Sequence, residues 1–408
     1  MTEQTESATS LKRTLGPLMV TFYGLGTIIG AGIYVLLGSV AGMAGSWMPF
    51  SFLLAGTIAA FTALSYAELS SRLPMCAGAA LYVHEAWWNK SLSTVVGWLL
   101  VLTGIVSAAT IANGFVGYLN VFVSMDAALA IALLVLGMGV LACWGIKESA
   151  VIIFGVTTVE VCGLIIVVLF ASAAEPAEVI TVTTTHGNGI ISGIVLGSFI
   201  AFYAFIGFED MVNIVEEVKN PQRNMPLGII LSVALSILLY MLVAFAAMHV
   251  MSAADLAASD APLADMMKIS GGSETLITLI GLVAVVNGAL VQIIMASRVL
   301  YGMAGKDMAP DVLGSINPAT KTPIVATVLV AALVLVFALA LPLTQLAQIT
   351  SFSMLVIFIL VNSALFVIKQ RSYKDYEGIN LPTSIPVLGA ITASLLVLYQ
   401  AFVFAGLF

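Results

Sequence analysis

Acidic residues inside apolar stretches are the feature of this sequence with the clearest chemical potential. Glu160, Glu209 and Asp210 lie in stretches that are long and hydrophobic enough to cross a membrane. Placing an Asp at the centre of such a helix costs roughly 2.5 to 3.5 kcal/mol, so an acid at that depth indicates a function. Loss of water favours the neutral carboxylic acid, which can bind and release a proton. We predict that Glu160 carries a coupled proton or helps to bind a cation; the alternative is a hydrogen-bonded structural acid.

Glycine clusters mark two places where a membrane helix is expected to break. The first apolar stretch contains the run Gly24-Leu-Gly-Thr-Ile-Ile-Gly-Ala-Gly-Ile-Tyr34, and the sixth contains Gly207 just before two acids. At a break, backbone N–H and C=O groups lose their partners, which a membrane tolerates only where they line a cavity. Close packing of helices on small residues is the alternative reason for these glycines.

The backbone groups freed at the two breaks would suit a ligand that carries both charges. The half-helix after Gly30-Ala31-Gly32 points its positive N-terminal end at the gap, where a carboxylate fits. Carbonyl oxygens at the end of the preceding half-helix and beside the second break suit an ammonium group, and they belong to Ile28, Ile29, Tyr203, Phe205 and Ile206. Such a site describes a zwitterion, so we predict a free amino acid as the substrate.

Composition places these segments in a membrane. Hydrophobic residues make up 61% of the 408 residues, charged residues 9%, and the net charge is −7. A soluble domain is about 45–50% apolar and about 25% charged, so this chain is predicted to be an all-α integral membrane protein in contact with lipid. A nucleic-acid surface would need clustered Lys and Arg, which are missing. The three cysteines and three histidines are scattered, so we expect no metal and no cofactor; they are Cys76, Cys143, Cys162, His84, His186 and His249.

Hydropathy predicts about eleven transmembrane helices. Each predicted span is an apolar stretch of at least about 18 residues, and the approximate limits are Leu15–Gly42, Trp47–Ser71, Thr94–Val123, Asp126–Gly145, Ala150–Ser172, Ile190–Val215, Pro226–Met251, Thr275–Met303, Pro323–Leu341, Leu343–Lys369 and Ser384–Phe408. With the N-terminus in the cytoplasm, every Lys and Arg except Lys268 falls on the cytoplasmic side, as the positive-inside rule requires. We therefore expect a multi-pass protein of the cell (inner) membrane.

The spans divide into two related halves. Shifting span two along the sequence by the number of residues between Gly30 and Gly207 places it on span seven. The same shift places span three on span eight. Five spans is an odd number, so the halves have opposite orientations, which is the pattern of an inverted-repeat transporter with its site between the breaks. The predicted divisions are a cytoplasmic tail at 1–14, repeats at 15–173 and 190–369, and a linker with helix 11 at 370–408.

Three segments carry a resemblance to a known family. The first-helix run Gly26-Thr-Ile-Ile-Gly-Ala-Gly-Ile-Tyr34, the sixth-helix run Phe202-Tyr-Ala-Phe-Ile-Gly-Phe-Glu209 and the loop Glu216-Glu-Val-Lys-Asn-Pro-Gln-Arg-Asn-Met-Pro226 resemble the amino acid–polyamine–organocation (APC) superfamily, especially its cationic amino acid transporter branch. The resemblance implies a LeuT-type fold with helices 1 and 6 broken. It also implies carboxylate binding at Gly30, Ala31 and Gly32, and amine binding at the carbonyls of Ile28, Tyr203 and Ile206.

The sequence departs from that family pattern at three points. Many relatives have Ser or Thr at the position of Ala31, so the backbone N–H groups must bind the carboxylate alone. Relatives typically have twelve spans rather than eleven. Proton-coupled relatives carry a lysine at the position of Glu160. The resemblance further implies that Glu209 acts as a gate, whereas we expect Asp210, about 100° away on a helix, to face a polar crevice.

Polar residues in spans three, eight and ten are candidates for the side-chain pocket. We expect Asn287 to be the best placed, and the others are Thr103, Ser107, Thr110, Asn113, Gln292, Ser351 and Ser353. Each is also a candidate for an ordinary bond between helices, so the pocket does not identify the substrate. Near the membrane surfaces, Glu68 and the acids of the outer loop are expected to be solvated.

The leading prediction is a secondary amino acid transporter, proton-coupled or exchanging, with an amine or polyamine carrier, a channel and a membrane-embedded enzyme as alternatives.

Overall fold

A computed structural model describes residues 13–75, 78–145, 150–177, 189–371 and 378–406. Cys76, His186 and Lys147 lie outside these residues, as does most of the predicted N-terminal tail. The described part is all-helical, without a strand. Its α-helices are α1 (Pro17–Ala44), α2 (Met48–Arg72), α3 (Gly78–Trp87), α4 (Lys90–Asn120), α5 (Ala127–Trp144), α6 (Ala150–Ala173), α7 (Gly189–Ala201), α8 (Pro221–Val250), α9 (Ala253–Ala258), α10 (Pro262–Ile269), α11 (Glu274–Ala304), α12 (Ile324–Ala340), α13 (Leu343–Arg371) and α14 (Ser384–Phe404).

The described helices are those of a multi-pass membrane protein. Nine helical stretches among the described residues are long and apolar enough to cross a bilayer, and one of them, Gly32–Arg72, runs for 41 residues. Two shorter apolar helices are Pro17–Gly30 and Ile324–Ala340. Large apolar side chains remain exposed along these helices, as expected for surfaces that face lipid. The number of eleven crossings stays a prediction.

Both helices that carry the glycine signals are interrupted. In α1, Gly30 has non-helical backbone angles, φ −10° and ψ −139°. After α7 ends at Ala201, a short 3-10 helix, Phe202–Phe205, leads into the extended residue Ile206 and then Gly207. Gly207 has φ +128°, which a residue with a side chain rarely adopts, and a second 3-10 helix, Phe208–Glu217, follows. The chain therefore leaves α-helical geometry at the two predicted places.

The interrupted segments lie at the centre of the bundle. Helix α1 packs against α6, α7, α8 and α11, while α4 packs against α11 and α13. The largest buried side chains concentrate around the second break and include Phe202, Phe205 and Phe208. Irregular backbone is thus enclosed by protein rather than exposed to lipid, as membrane burial of polar backbone requires.

The connecting segments have more structure than the hydropathy pattern indicates. Helix α3 lies in the connection after α2, and the small helices α9 and α10 fold the outer loop down onto α1 and α11. A Cβ on Gly38 would lie 2.4 Å from the carbonyl oxygen of Leu256, and one on Gly117 would lie 2.0 Å from that of Asp260. Glycine therefore allows this loop to seat directly on α1 and α4.

The expectation that Glu68 is a solvated charge is wrong. Its side chain is 0% exposed, and Lys369, from the far end of the chain, is 1% exposed. The Lys369 Nζ donates to both Glu68 carboxylate oxygens, at 2.7 and 2.9 Å. Arg72 donates to the same carboxylate from Nε at 2.9 Å, and Leu381 donates its backbone N–H at 3.0 Å. The carboxylate thus joins α2, α13 and the segment before α14.

Candidate functional site

A small cavity lies where the two broken helices meet. Its volume is about 50 Å³, and its walls come from α1, α4, α6, α11 and the interrupted segment after α7. The lining residues are Tyr23, Gly26, Thr27, Gly30, Ser107, Ile111, Ile153, Tyr203, Ile206, Asp210, Asn287, Gly288, Val291 and Gln292. A cavity of this size has room for about three to five water-sized groups. That is close to the shared backbone part of an amino acid, without a large side chain.

Missing side chains allow the two breaks to approach each other. A Cβ on Gly207 would lie 2.2 Å from the carbonyl oxygen of Thr27, and one on Gly32 would lie 2.6 Å from Cα of Ala204. Real Cβ atoms are not found at such distances, so both contacts require glycine. At Gly30, by contrast, a Cβ would meet nothing within 4 Å, because that residue borders the cavity.

Backbone carbonyls at the breaks have partial protein partners. The Tyr203 carbonyl accepts a hydrogen bond from Ile206 N–H at 3.1 Å. The buried Tyr240 hydroxyl lies 2.9 Å from the Ile28 carbonyl oxygen and 3.0 Å from that of Ala204. A hydroxyl carries one hydrogen, so these two carbonyls share it and retain accepting capacity. Tyr240 thereby joins α8 to both broken segments.

The predicted site residues divide into those that border the cavity and those behind it. Gly30, Tyr203, Ile206 and Asn287 line it. Four others are buried or helical but not in its lining, namely Ile28, Ile29, Gly32 and Phe205. The side chain of Ala31 is not described.

Among the additional polar candidates, Ser107 and Gln292 line the cavity. The Ser107 hydroxyl also pairs with the Tyr203 hydroxyl at 2.9 Å. Asn113 instead ties α4 to α12 by donating to the Ala338 carbonyl at 3.0 Å. Thr103 and Thr110 bond to carbonyls of their own helix, and Ser351 and Ser353 lie outside the lining.

Sequence reasoning missed several lining residues. Thr27 and Tyr23 lie about one and two helical turns before Gly30, so helical periodicity could have indicated them. Ile111, Ile153 and Val291 carry no such signal, because an apolar residue in a membrane helix looks the same whether it faces lipid, protein or substrate.

Glu160 is enclosed in protein within α6. Its side chain is 0% exposed. Neither carboxylate oxygen has a hydrogen-bond partner among the described residues. Its backbone carbonyl accepts from the Tyr34 hydroxyl at 3.1 Å, which links α6 to α1. A buried carboxyl without such partners is costly to retain, which distinguishes Glu160 from the apolar residues around it.

Glu209 lies two residues after Gly207, at the start of the 3-10 helix that follows the second break. Its side chain is 5% exposed, and its Oε2 accepts from the backbone N–H of Gly207 at 2.9 Å. The carboxylate therefore accepts a hydrogen bond from one of the backbone N–H groups that the break frees. Glu209 also borders a second and much larger cavity of about 720 Å³, which we call the vestibule.

Asp210 lies between the two cavities and lines both of them. Asp210 was expected to face a polar crevice, and its contact with the central cavity was not predicted. The vestibule also contains Arg298 and Lys306, two of the basic residues assigned to the cytoplasmic side. On the opposite side, helices α9 and α10 pack onto the bundle. The central cavity thus borders the vestibule at one end and lies beneath packed helices at the other.

Comparisons with known proteins agree with this architecture. A family model described as "Amino acid permease" matches residues 15–408. The vacuolar cationic amino acid transporter 4 of Arabidopsis thaliana is 30% identical over 398 residues, which cover 92% of this chain and 66% of that protein. Branched-chain amino acid permease BcaP of Bacillus subtilis (strain 168) is 29% identical over 395 residues, covering 90% of this chain and 83% of the permease.

A third relative differs in the cargo it is named for. The methylthioribose transporter of Bacillus subtilis (strain 168) is 26% identical over 408 residues, covering 95% of this chain and 87% of the relative. The chain spans just under two thirds of the Arabidopsis protein but most of both bacterial proteins.

Proposed function

Because the chain belongs to the amino acid permease family, a transporter family of the APC superfamily rather than a family of enzymes, we propose that it is a secondary transporter that carries an amino acid across the cell membrane by alternating access. In this proposal the N-terminus is cytoplasmic, and eleven helices form a LeuT-type fold with repeats at 15–173 and 190–369. The similarity to three transporters with differently named cargoes supports the class more strongly than the identity of the substrate.

One observation carries the proposal: two interrupted helices meet at a small cavity whose lining includes polar side chains. Backbone N–H groups after Gly30 bind the substrate carboxylate, since they begin a half-helix whose N-terminal end is positive. Carbonyl oxygens of Ile28, Tyr203 and Ile206 accept from the ammonium group. Asn287 lies in the lining and contacts the substrate side chain.

Unequal access from the two sides supports alternating access. The vestibule is about 720 Å³ and reaches Asp210, whereas the opposite side is covered by α9 and α10. This arrangement corresponds to a state that faces the side rich in basic residues. Transport requires that the outer loop lift from α1 while the vestibule closes.

Proton coupling is assigned to Glu160 and gating to Glu209. Glu160 is buried, and neither of its carboxylate oxygens has a hydrogen-bond partner among the described residues, which supports its assignment as the group that carries the proton. Glu209 holds the Gly207 N–H at the break, and changes in that bond alter the backbone next to the substrate. In this scheme a proton on Glu160 accompanies each amino acid.

Binding by purified protein tests the substrate class. Each of the twenty amino acids is compared with its decarboxylated amine by thermal shift, and methylthioribose is included. A ligand at 100 times its dissociation constant adds roughly 2.7 kcal/mol of stability. We expect stabilisation by at least one amino acid and not by its amine. Equal stabilisation by the amine would favour an amine carrier instead.

Uptake into liposomes tests the mechanism. We expect saturable uptake, accelerated counterflow when unlabelled substrate is loaded inside, and stimulation by an inward proton gradient. Flux without counterflow would indicate a channel and refute alternating access. Counterflow without any response to the gradient would indicate an exchanger and refute the role of Glu160 in coupling.

A further inference from the structure

The vestibule has the composition of a binding site as well as of a passage. Its acidic wall comes from Glu209 and Asp210 in the 3-10 helix after the break, and its basic side chains are Arg298, near the end of α11, and Lys306, two residues beyond it. The central cavity has an acid in its lining but no Lys or Arg. Of these two cavities, the vestibule is the one that offers side chains of both signs.

A buried hydroxyl in this space has no partner among the described residues. The Tyr66 side chain is 0% exposed and lines the vestibule, and its hydroxyl is not hydrogen-bonded there. The ring is held edge-on by Tyr82 at 5.9 Å, Phe208 at 5.7 Å and Phe358 at 5.9 Å between ring centroids. An orphaned hydroxyl costs stability, so its retention on a rigid ring indicates a ligand that supplies the missing bond.

His84, on a different helix, carries a second buried polar group of this kind in the vestibule. His84 of α3 lines the same vestibule, and its Nδ1 is buried without a hydrogen-bond partner among the described residues. Helix α3 and the end of α2 thus both present unsatisfied polar groups to one cavity. Neither group belongs to the central site.

We propose that the vestibule holds a second amino acid-binding site, in which the ammonium group lies between Glu209 and the Tyr66 hydroxyl and the carboxylate pairs with Arg298. The inference rests on the proposed function, because the ligand is the transported amino acid. Arg298 provides a planar group that binds a carboxylate through two parallel hydrogen bonds. The acids and Arg298 fix the direction of the zwitterion, with its ammonium end towards the central cavity.

The two cavities differ in a way that makes this second site useful for release. The central cavity is about 50 Å³ and the vestibule about 720 Å³, so an amino acid with a large side chain has room only in the vestibule in this state. Asp210 lines both spaces and can contact the ammonium group as it passes. The vestibular site therefore binds the substrate after it leaves the central cavity.

Binding stoichiometry tests the inference. Purified protein is titrated by equilibrium dialysis with the radiolabelled amino acid, among the twenty, that gives the largest uptake in liposomes. We expect two sites per wild-type chain. Arg298→Gln and Tyr66→Phe should each weaken one site by about tenfold or more, the range for losing a hydrogen bond to a charged group. Asn287→Ala should weaken the other site.

Matched controls separate binding from folding. Tyr66→Phe keeps the ring and removes only an unsatisfied hydroxyl, so it should fold at least as well as wild type. Tyr82→Phe removes the hydroxyl of the neighbouring ring, which is not part of the vestibule lining, and should leave both sites unchanged.

The outcomes distinguish this inference from the proposed function. One site in the wild type with intact uptake, or two sites that survive both Arg298→Gln and Tyr66→Phe, would overturn the vestibular site and leave the transporter in place. Loss of both sites in Tyr66→Phe would also overturn it, since the hydroxyl is assigned to one site only. Absence of binding and uptake for all twenty amino acids would overturn both proposals.

Discussion

Gly207→Ala is expected to separate the two broken helices. Gly207 has φ +128°, and a Cβ there would lie 2.2 Å from the Thr27 carbonyl oxygen and 2.6 Å from its carbonyl carbon. Both atoms belong to backbone, so no flexible side chain can move aside. The methyl group must push the segment around Gly207 away from α1, which changes the cavity between them.

The magnitude follows from two separate costs. A left-handed conformation costs an alanine about 1–2 kcal/mol, and a buried overpacked methyl group costs about 1–3 kcal/mol. We therefore expect Gly207→Ala to lower the free energy of unfolding by about 2–5 kcal/mol. Uptake should fall more steeply than stability, because the carbonyls assigned to the ammonium group lie at the displaced break.

Denaturant titration in detergent measures the stability, and liposome uptake measures the function. Gly155→Ala is the matched control, since a Cβ at Gly155 in α6 would meet nothing within 4 Å. That substitution should be neutral or stabilise by up to about 1 kcal/mol through helix propensity. If Gly207→Ala is as stable and as active as Gly155→Ala, the direct backbone contact between the two breaks is refuted.

Three further predictions concern buried polar groups. Glu160→Gln should abolish the stimulation of uptake by a proton gradient while leaving counterflow, measured in the same liposomes; an unchanged pH dependence would refute the coupling role. Glu68→Gln should destabilise the protein by about 3–5 kcal/mol because it leaves Lys369 and Arg72 without their shared carboxylate partner, and the double variant with Lys369→Met should recover part of the loss, since only Arg72 then lacks that partner. A denaturant titration of the single and double variants measures this, and equal stability of both would show that the pair is not coupled. Tyr240→Phe should raise KM for uptake at least severalfold, since its hydroxyl joins α8 to both broken segments; an unchanged KM in the saturation curve would mean that the bridge does not position the site.

The two helix breaks were predictable because their cause is local. Glycine lowers the helix propensity of its own segment, and the break at Gly30 and the left-handed Gly207 lie where the sequence places them. Asn287 lies in the lining of the central cavity, and its polarity distinguishes it within an apolar helix. The assignment of these residues to substrate binding remains a prediction.

Residues whose role depends on a distant partner could not be assigned in this way. Glu68 and Lys369 look like ordinary charges at helix ends, and they are separated by 301 residues of sequence. Asp210 was expected in a polar crevice, but its position between two cavities depends on how the helices of both halves pack. Tyr66 looks like any core aromatic until its orphaned hydroxyl is seen beside the vestibule.

The sequence alone determined that the chain is an all-helical membrane protein, where two of its helices lose helical geometry, and that Glu160 and Glu209 lie within apolar stretches. These properties follow from hydropathy, charge and glycine content, and each acts within a few residues. Tertiary structure decided that the breaks touch through Gly207 and Thr27, that Tyr240 bridges them, and that the cavity they share borders a vestibule. The physical reason is that a cavity and an ion pair are defined by distances between helices, and apolar membrane helices look alike in sequence whichever neighbour they pack against.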